Sequence, residues 1–84
     1  MRVHFSTNAW SDYQYWVEND QTTLGRVNNL IRDIQRTPFS GIGKPEPLTE
    51  NLTGFWSRRI DETNRLVYEV DSAQINIVSC RYHY

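Results

Sequence analysis

Few side chains in this sequence suit acid–base chemistry. Histidine occurs only twice, as His4 and His83, and an imidazole titrates near neutrality, with a reference pKa of about 6.5. His83 stands between two phenols, Tyr82 and Tyr84, two residues after Arg81. Rings beside a cation also suit single-stranded nucleic acid, because bases stack on rings while phosphates pair with guanidiniums. The plainer alternative is a last strand whose alternating side chains simply end in aromatics. His4 lies in Arg2-Val3-His4-Phe5-Ser6, where Val3 and Phe5 share one face, and it reads as a solvated strand residue.

The other candidates sit in the second half of the chain. Lys44 and Glu46 lie on a segment stiffened by Gly41, Gly43, Pro45 and Pro47, and Arg58, Arg59 and Arg65 follow. Strand side chains alternate, so Arg58 and Arg59 face opposite ways. Arg59 and Arg65 share a face only if the hairpin loop between them has an odd number of residues. Should Arg59, Arg65, Glu46 and His83 converge, they suffice for RNA cleavage. A carboxylate takes the 2′-hydroxyl proton, an acid protonates the departing 5′-oxygen, and a guanidinium neutralises the charge growing on phosphorus. Positioned acid–base groups typically contribute 10²–10⁴-fold each, and the planar guanidinium fork matches phosphate oxygens. The competing reading is a surface of ordinary ion pairs, such as Arg58 or Arg65 with Asp61 or Glu62. Two other chemistries fit poorly. Gly43-Lys44 is followed by Pro45, which offers no N–H to a phosphate, so this is no nucleotide-binding P-loop. Cys80-x-x-His83 supplies two ligands where a structural zinc wants four.

The elements that must position these residues follow from periodicity. Ser6 or Thr7 caps a first helix running to about Asn19, with Trp10, Tyr13, Trp16 and Val17 at helical spacing as core. Thr22 or Thr23 caps a second helix, with Leu24, Val27, Leu30, Ile31 and Ile34 as its apolar stripe and Arg26, Arg32 and Arg36 on a solvated face. Thr37-Pro38 ends it. An antiparallel meander follows at residues 48–52, 55–60, 65–70 and 75–84. The expected architecture is α+β, with two N-terminal helices on one face of a mainly antiparallel sheet of four to five strands. Eighty-four residues make one domain, which buries roughly 60–65% of its unfolded surface. A net charge of −1 means that any polyanion site is local. One cysteine fits a reducing cytoplasm, and no apolar run approaches the ~18 residues of a membrane span.

The run Arg36-Thr37-Pro38-Phe39, then Gly41-x-Gly43-Lys44-Pro45-Glu46-Pro47-Leu48, resembles the YoeB/Txe toxins of the RelE superfamily. So do Leu52-x-Gly54-Phe55-Trp56-Ser57-Arg58-Arg59-Ile60, Asn64-Arg65-Leu66-Val67-Tyr68, the closing Arg81-Tyr82-His83-Tyr84, and the early Trp10-x-Asp12-Tyr13-x-Tyr15-Trp16. The resemblance spans nearly the whole length. It implies a bacterial toxin of a type II toxin–antitoxin pair, cytoplasmic, with a RelE-like fold. Such toxins enter the ribosomal A site and cut mRNA there without a metal or cofactor, which stops translation. By the same resemblance Glu46 is the general base, His83 the general acid and Arg65 the transition-state stabiliser. Lys44 and Arg59 hold RNA phosphate, and Tyr84 contacts the RNA or orders the site. The implied partners are a YefM/Phd-type antitoxin, the ribosome with its mRNA, operator DNA through the antitoxin complex alone, and a second toxin copy. Departures lie in the second helix and at Thr49-Glu50, which carry fewer basic residues than the family pattern. A non-catalytic ribosome- or antitoxin-binding module on the same scaffold is the alternative.

Overall fold

The chain opens with β1 (Arg2–Phe5), then α1 (Thr7–Asn19) and α2 (Gln21–Arg36). After a loop come β2 (Glu46–Pro47), one 3-10 turn (Glu50–Leu52), β3 (Trp56–Arg59), β4 (Arg65–Asp71) and β5 (Gln74–Ser79). The structure is a computed structural model and describes residues 1–82. In space the strands run β1-β5-β4-β3-β2. β1 is parallel to β5 and every other pair is antiparallel, so the sheet is mixed.

Alternation makes the sheet amphipathic. Leu66, Tyr68, Ile75 and Ile77 turn one way and pack with Ala9, Trp16, Val27, Leu30 and Ile34 of the two helices, all of them buried. His4, Glu69 and Asn76 turn the other way, in register with one another across three strands. His4 is exposed, as its place in an alternating strand predicts. The Ser6 hydroxyl caps α1 by accepting the Ala9 N–H at 3.0 Å. Asp20 serves both helices. Its N–H donates to the Trp16 carbonyl at 2.9 Å, and its carboxylate accepts the Thr23 N–H at 3.0 Å and the Thr23 hydroxyl at 2.8 Å. The cap of α2 is therefore Asp20, not Thr22 or Thr23; Thr23 is instead one of the capped donors.

On the helix face one charge is fully buried. The Arg58 side chain has 0% of its surface exposed and uses all five guanidinium donors. Nε–H donates to the Tyr68 hydroxyl at 3.2 Å, Nη1 to Asp33 Oδ2 at 2.6 Å and the Ile42 carbonyl at 3.1 Å, and Nη2 to the carbonyls of Thr37 at 2.7 Å and Ser40 at 3.0 Å. The Tyr68 hydroxyl passes its own proton to the Pro38 carbonyl at 2.6 Å, and the Ile42 N–H donates to Asp33 at 3.0 Å. Loop 37–43 is thus wrapped around one side chain, which corrects the expected surface pairing of Arg58 with Asp61 or Glu62. The wrap needs glycine. Gly41 has φ +124°, and a Cβ there would collide with the Asp33 carboxylate; at Gly43, φ +79°, a Cβ would lie 2.7 Å from Leu30 Cδ2.

Three further expectations change. Residues 48–52 are not a strand: pairing falls one step earlier, at Glu46–Pro47, and Glu50 takes φ +58° into the 3-10 turn. Trp10 and Val17 flank the buried stripe of α1 and are 49% and 44% exposed, although the Trp10 ring still stacks on Tyr13 at 5.8 Å. The last strand stops at Ser79. Tyr68 opposes Ile77 but Val67 opposes Ser79, so Val78 is the extra residue of a bulge. Unbroken alternation would turn Ser79 toward the helices. The bulge reverses the phase, and Cys80 goes in instead at 0% exposed.

Replacing Arg58 with Met keeps most of its volume but takes the guanidinium's bonds from the Asp33 carboxylate and three carbonyls. Losing one partner of a buried pair costs roughly 3–5 kcal/mol, a large share of the ~5–15 kcal/mol of a typical domain. A urea midpoint for Arg58→Met within error of the unaltered chain refutes this account. Acid tests the same network. The Ile42 amide, then Arg58 and Arg36, hold the Asp33 carboxyl below its ordinary value against the opposing effect of burial. The Thr23 donors do the same for Asp20. At Asp61 burial pushes upward, but the Asn64 and Thr63 donors outweigh it and the carboxyl ends low. Carboxyls held low contribute stability that is complete above the unfolded value of about 3.9 and is lost as pH falls through the folded one. The urea midpoint is therefore expected to fall below about pH 4, and Asp33→Asn, weaker at pH 7, to lose less on that acid limb.

Candidate active site

With Arg58 turned inward, alternation sends Ser57 and Arg59 to the opposite face. Ser57 pairs with Glu46 on one side and Val67 on the other, and Arg59 pairs directly with Arg65. The loop between those arginines, residues 60–64, has an odd number of residues, which is the condition set by the sequence. Glu46, Arg59 and Arg65 therefore share the sheet face that lies away from the helices. From strand spacings, Glu46 and Arg65 are on the order of 12 Å apart at Cα. Ser57 and Val67, both buried, form the floor between them. Glu46 and Arg59 are exposed and Arg65 is half-buried.

Each of the three is held by different means. Glu46 is carried by the loop wound on Arg58, and the Arg59 N–H ties that loop down by donating to the Gly43 carbonyl at 2.6 Å. Lys44, two residues before Glu46, is exposed and takes φ +51°, turning the chain from the glycine loop into β2. Arg65 is held by its own turn: Nη1 donates to the carbonyls of Asp61 at 2.9 Å and Asn64 at 3.2 Å. Beside Arg59, a notch of about 180 Å³ opens between α2 and the loop, lined by Arg26, Asn29, Leu30, Ile42, Gly43 and Ile60. Of the other α2 cations, Arg36 pairs with Asp33 at 3.1 Å and Arg32 donates to Asn29 at 3.2 Å.

His83 and Tyr84 lie outside the described residues. The segment leading to them is fastened at each step. The Cys80 N–H donates to Asp12 at 3.0 Å, and the Cys80 carbonyl accepts the indole N–H of Trp16 at 2.8 Å. The Arg81 guanidinium sits 3.3 Å above the centre of the Tyr15 ring. The Tyr82 N–H donates to Asn64 Oδ1 at 2.7 Å, and the Tyr82 carbonyl accepts the Arg65 N–H at 3.0 Å. Asp12, Tyr15, Trp16 and Asn64 escape a search for chemistry by residue type, since none of them needs to react. Apart from the motifs that carry the family resemblance, which include all four, the local signal is Asp61-x-x-Asn64, a pair that favours side-chain-closed turns.

Among the described residues, no three His, Cys, Asp or Glu side chains gather as a metal site would require. Burial, with the Asp12 carboxylate adding to it, pushes the Cys80 thiol up to about 12. A buried thiol so far from ionisation is no nucleophile. Ellman's reagent at pH 8 is expected to leave Cys80 unmodified in the folded chain and to titrate it fully in urea; rapid reaction without denaturant contradicts this environment.

Known proteins are similar to this chain in both sequence and fold. The family described as "YoeB-like toxin of bacterial type II toxin-antitoxin system" matches residues 5–84. Toxin YoeB of Streptomyces coelicolor is 54% identical over 84 residues, 100% of both chains. A YoeB/ParE toxin from Agrobacterium tumefaciens superposes with a TM-score of 0.98 at 41% identity, covering 100% of both chains. YoeB of Staphylococcus aureus, solved as a dimer and in a heterotetrameric YoeB-YefM complex, superposes at 0.93 with 47% identity, covering 100% of this chain and 98% of that one. The chain belongs to the YoeB-like toxins of bacterial type II toxin–antitoxin systems.

Proposed function

We propose that this toxin is an mRNA endonuclease that works in the ribosomal A site by general acid–base catalysis, as one domain in the bacterial cytoplasm. The observation that carries the reading is the shared sheet face: a carboxylate, Glu46, and two guanidiniums, Arg59 and Arg65, on directly paired strands. Glu46 takes the proton from a ribose 2′-hydroxyl. The 2′-oxygen attacks phosphorus, the P–O5′ bond breaks, and His83 returns a proton to the departing 5′-oxygen, leaving a 2′,3′-cyclic phosphate. Arg65, its guanidinium already pinned by the Asp61 and Asn64 carbonyls, neutralises the charge that grows on the phosphorane; such pre-oriented donors need no reorganisation during reaction. Lys44 and Arg59 bind flanking phosphates, and Tyr84 contacts the RNA.

The same reading gives the toxin a YefM/Phd-type antitoxin that masks this face, with operator DNA engaged through that complex alone. A second toxin copy is the other partner. The S. aureus relative, solved with YefM and as a dimer, supports both.

Inducible expression followed by mapping of mRNA 5′ ends tests the proposal. Cleavage within translated codons is expected from the unaltered chain. Glu46→Gln and His83→Ala are each expected to lose about 10²–10⁴-fold while still binding the antitoxin. If His83→Ala arrests translation as strongly as the unaltered chain with no cut ends, the protein is a blocking module and the chemistry is wrong.

A further inference from the structure

Asn64 joins the two halves of the site. Its Oδ1 accepts the Tyr82 N–H at 2.7 Å, and its Nδ2 donates to both carboxylate oxygens of Asp61 at 3.1 Å. The Asp61 Oδ1 in turn accepts the backbone N–H of Thr63 at 2.8 Å and of Asn64 at 2.7 Å. One residue later the Arg65 N–H donates to the Tyr82 carbonyl at 3.0 Å. Both polar groups of the Tyr82 peptide are therefore spent on consecutive residues of the β3–β4 hairpin. Tyr82 takes φ +65°, a left-handed conformation that is uncommon for a residue with a bulky side chain and persists only when neighbours impose it. Asn64 also shapes the turn whose carbonyls, its own among them, hold the Arg65 guanidinium.

We infer that Asn64 is a positioning residue for cleavage, fixing the Tyr82 peptide, from which the chain continues to His83, relative to Arg65. The inference rests on the proposed function, in which Arg65 stabilises the transition state and His83 is the acid. Asn64 touches no reacting atom in this scheme. It needs an acceptor for the Tyr82 N–H and a donor for Asp61 on one short planar side chain, and asparagine supplies both. Alanine supplies neither. Aspartate keeps the acceptor but sets a second carboxylate against Asp61. The combined exchange Asp61→Asn with Asn64→Asp restores all of these bonds but one: the new amide donates to one oxygen of the new carboxylate, its carbonyl still accepts the two turn N–H groups, and the other carboxylate oxygen still accepts the Tyr82 N–H, while the bond to Asp61 Oδ1 is lost.

The test is single-turnover cleavage on ribosomes programmed with a short mRNA, with ribosome concentration varied to separate the rate constant from half-saturation. Asn64→Ala is expected to lower the rate constant by about 10²-fold, the scale of an ångström-level misplacement. Half-saturation stays within about twofold, and the urea midpoint falls modestly with the lost Asp61 and Tyr82 bonds while the chain stays folded under assay conditions. The Asp61→Asn/Asn64→Asp exchange recovers most of the rate, whereas Asn64→Asp alone does not. In a His83→Ala background, Asn64→Ala costs little more, because residues that act as a unit are non-additive. A role in stability alone predicts additive losses and no rescue of rate, and that result overturns the inference. So does a native rate for Asn64→Ala while His83→Ala is inactive, with the proposed chemistry left standing. A native rate for His83→Ala removes that chemistry and this inference with it.

Discussion

The buried guanidinium of Arg58 is the constraint from which the rest of the site follows. A charge taken out of water is tolerable only if its hydrogen bonds are complete, and Arg58 completes them by drawing in the Asp33 carboxylate, the Tyr68 hydroxyl and three carbonyls of loop 37–42. That fixes a long irregular loop which has no strand or helix of its own to order it. It also fixes facing. Once Arg58 points at α2, Arg59 must point away from it, and a one-residue slip of β3 would exchange the two. A one-residue slip would put the buried charge in solvent and a solvated one in the core. The register that arrays Glu46, Arg59 and Arg65 on one face is therefore enforced from the opposite face.

The tail is placed by a second, independent set of contacts. The bulge at Val78 sends Cys80 into the core, which brings its backbone within reach of Asp12 and Trp16 on α1. The β3–β4 hairpin then takes up Tyr82. The proposed base and the segment that leads to the proposed acid thus depend on different anchors, Glu46 on the loop wound about Arg58 and residues 80–82 on α1 and the hairpin. Arg65 belongs to both halves, since it lies opposite Arg59 and its N–H holds Tyr82.

Much of this was legible in the residues. The helices, the sheet with helices on one face, the alternation of Arg58 with Arg59 and the parity condition on the hairpin all follow from periods of 3.6 and 2. What escaped was set by pairing between distant residues. Nothing local marks Arg58 as buried, because its partner Asp33 reads as one more polar residue of α2. The Val78 bulge leaves no trace in a run of alternating residues, so the last strand reads as unbroken. Asp20 ends one helix and begins the next, whereas cap rules alone also admit Thr22 or Thr23. Trp10 follows the helical period but lies at the margin of the buried stripe, half-exposed with its ring against Phe5 and Tyr13.

The exposure of the proposed reacting face bears on why its activity should depend on a ribosome. Exposed cations interact weakly across water and are screened within about 8–10 Å at physiological salt. Here Glu46, Arg59 and Lys44 are all exposed, and a net charge of −1 gives the chain little long-range pull on RNA. Stabilising a phosphorane by several kcal/mol needs donors that work where water is excluded. Among the described residues this chain brings the donors and, through Arg58 and the Asn64 turn, their spacing, but Glu46, Arg59 and Lys44 stand exposed around the Ser57–Val67 floor. A large partner that closes over the sheet with the message already threaded would supply the exclusion of water. On the proposed reading, rigid positioning in the toxin and water exclusion by the assembly would divide the catalytic task, and little cleavage would be expected of free RNA meeting the isolated chain.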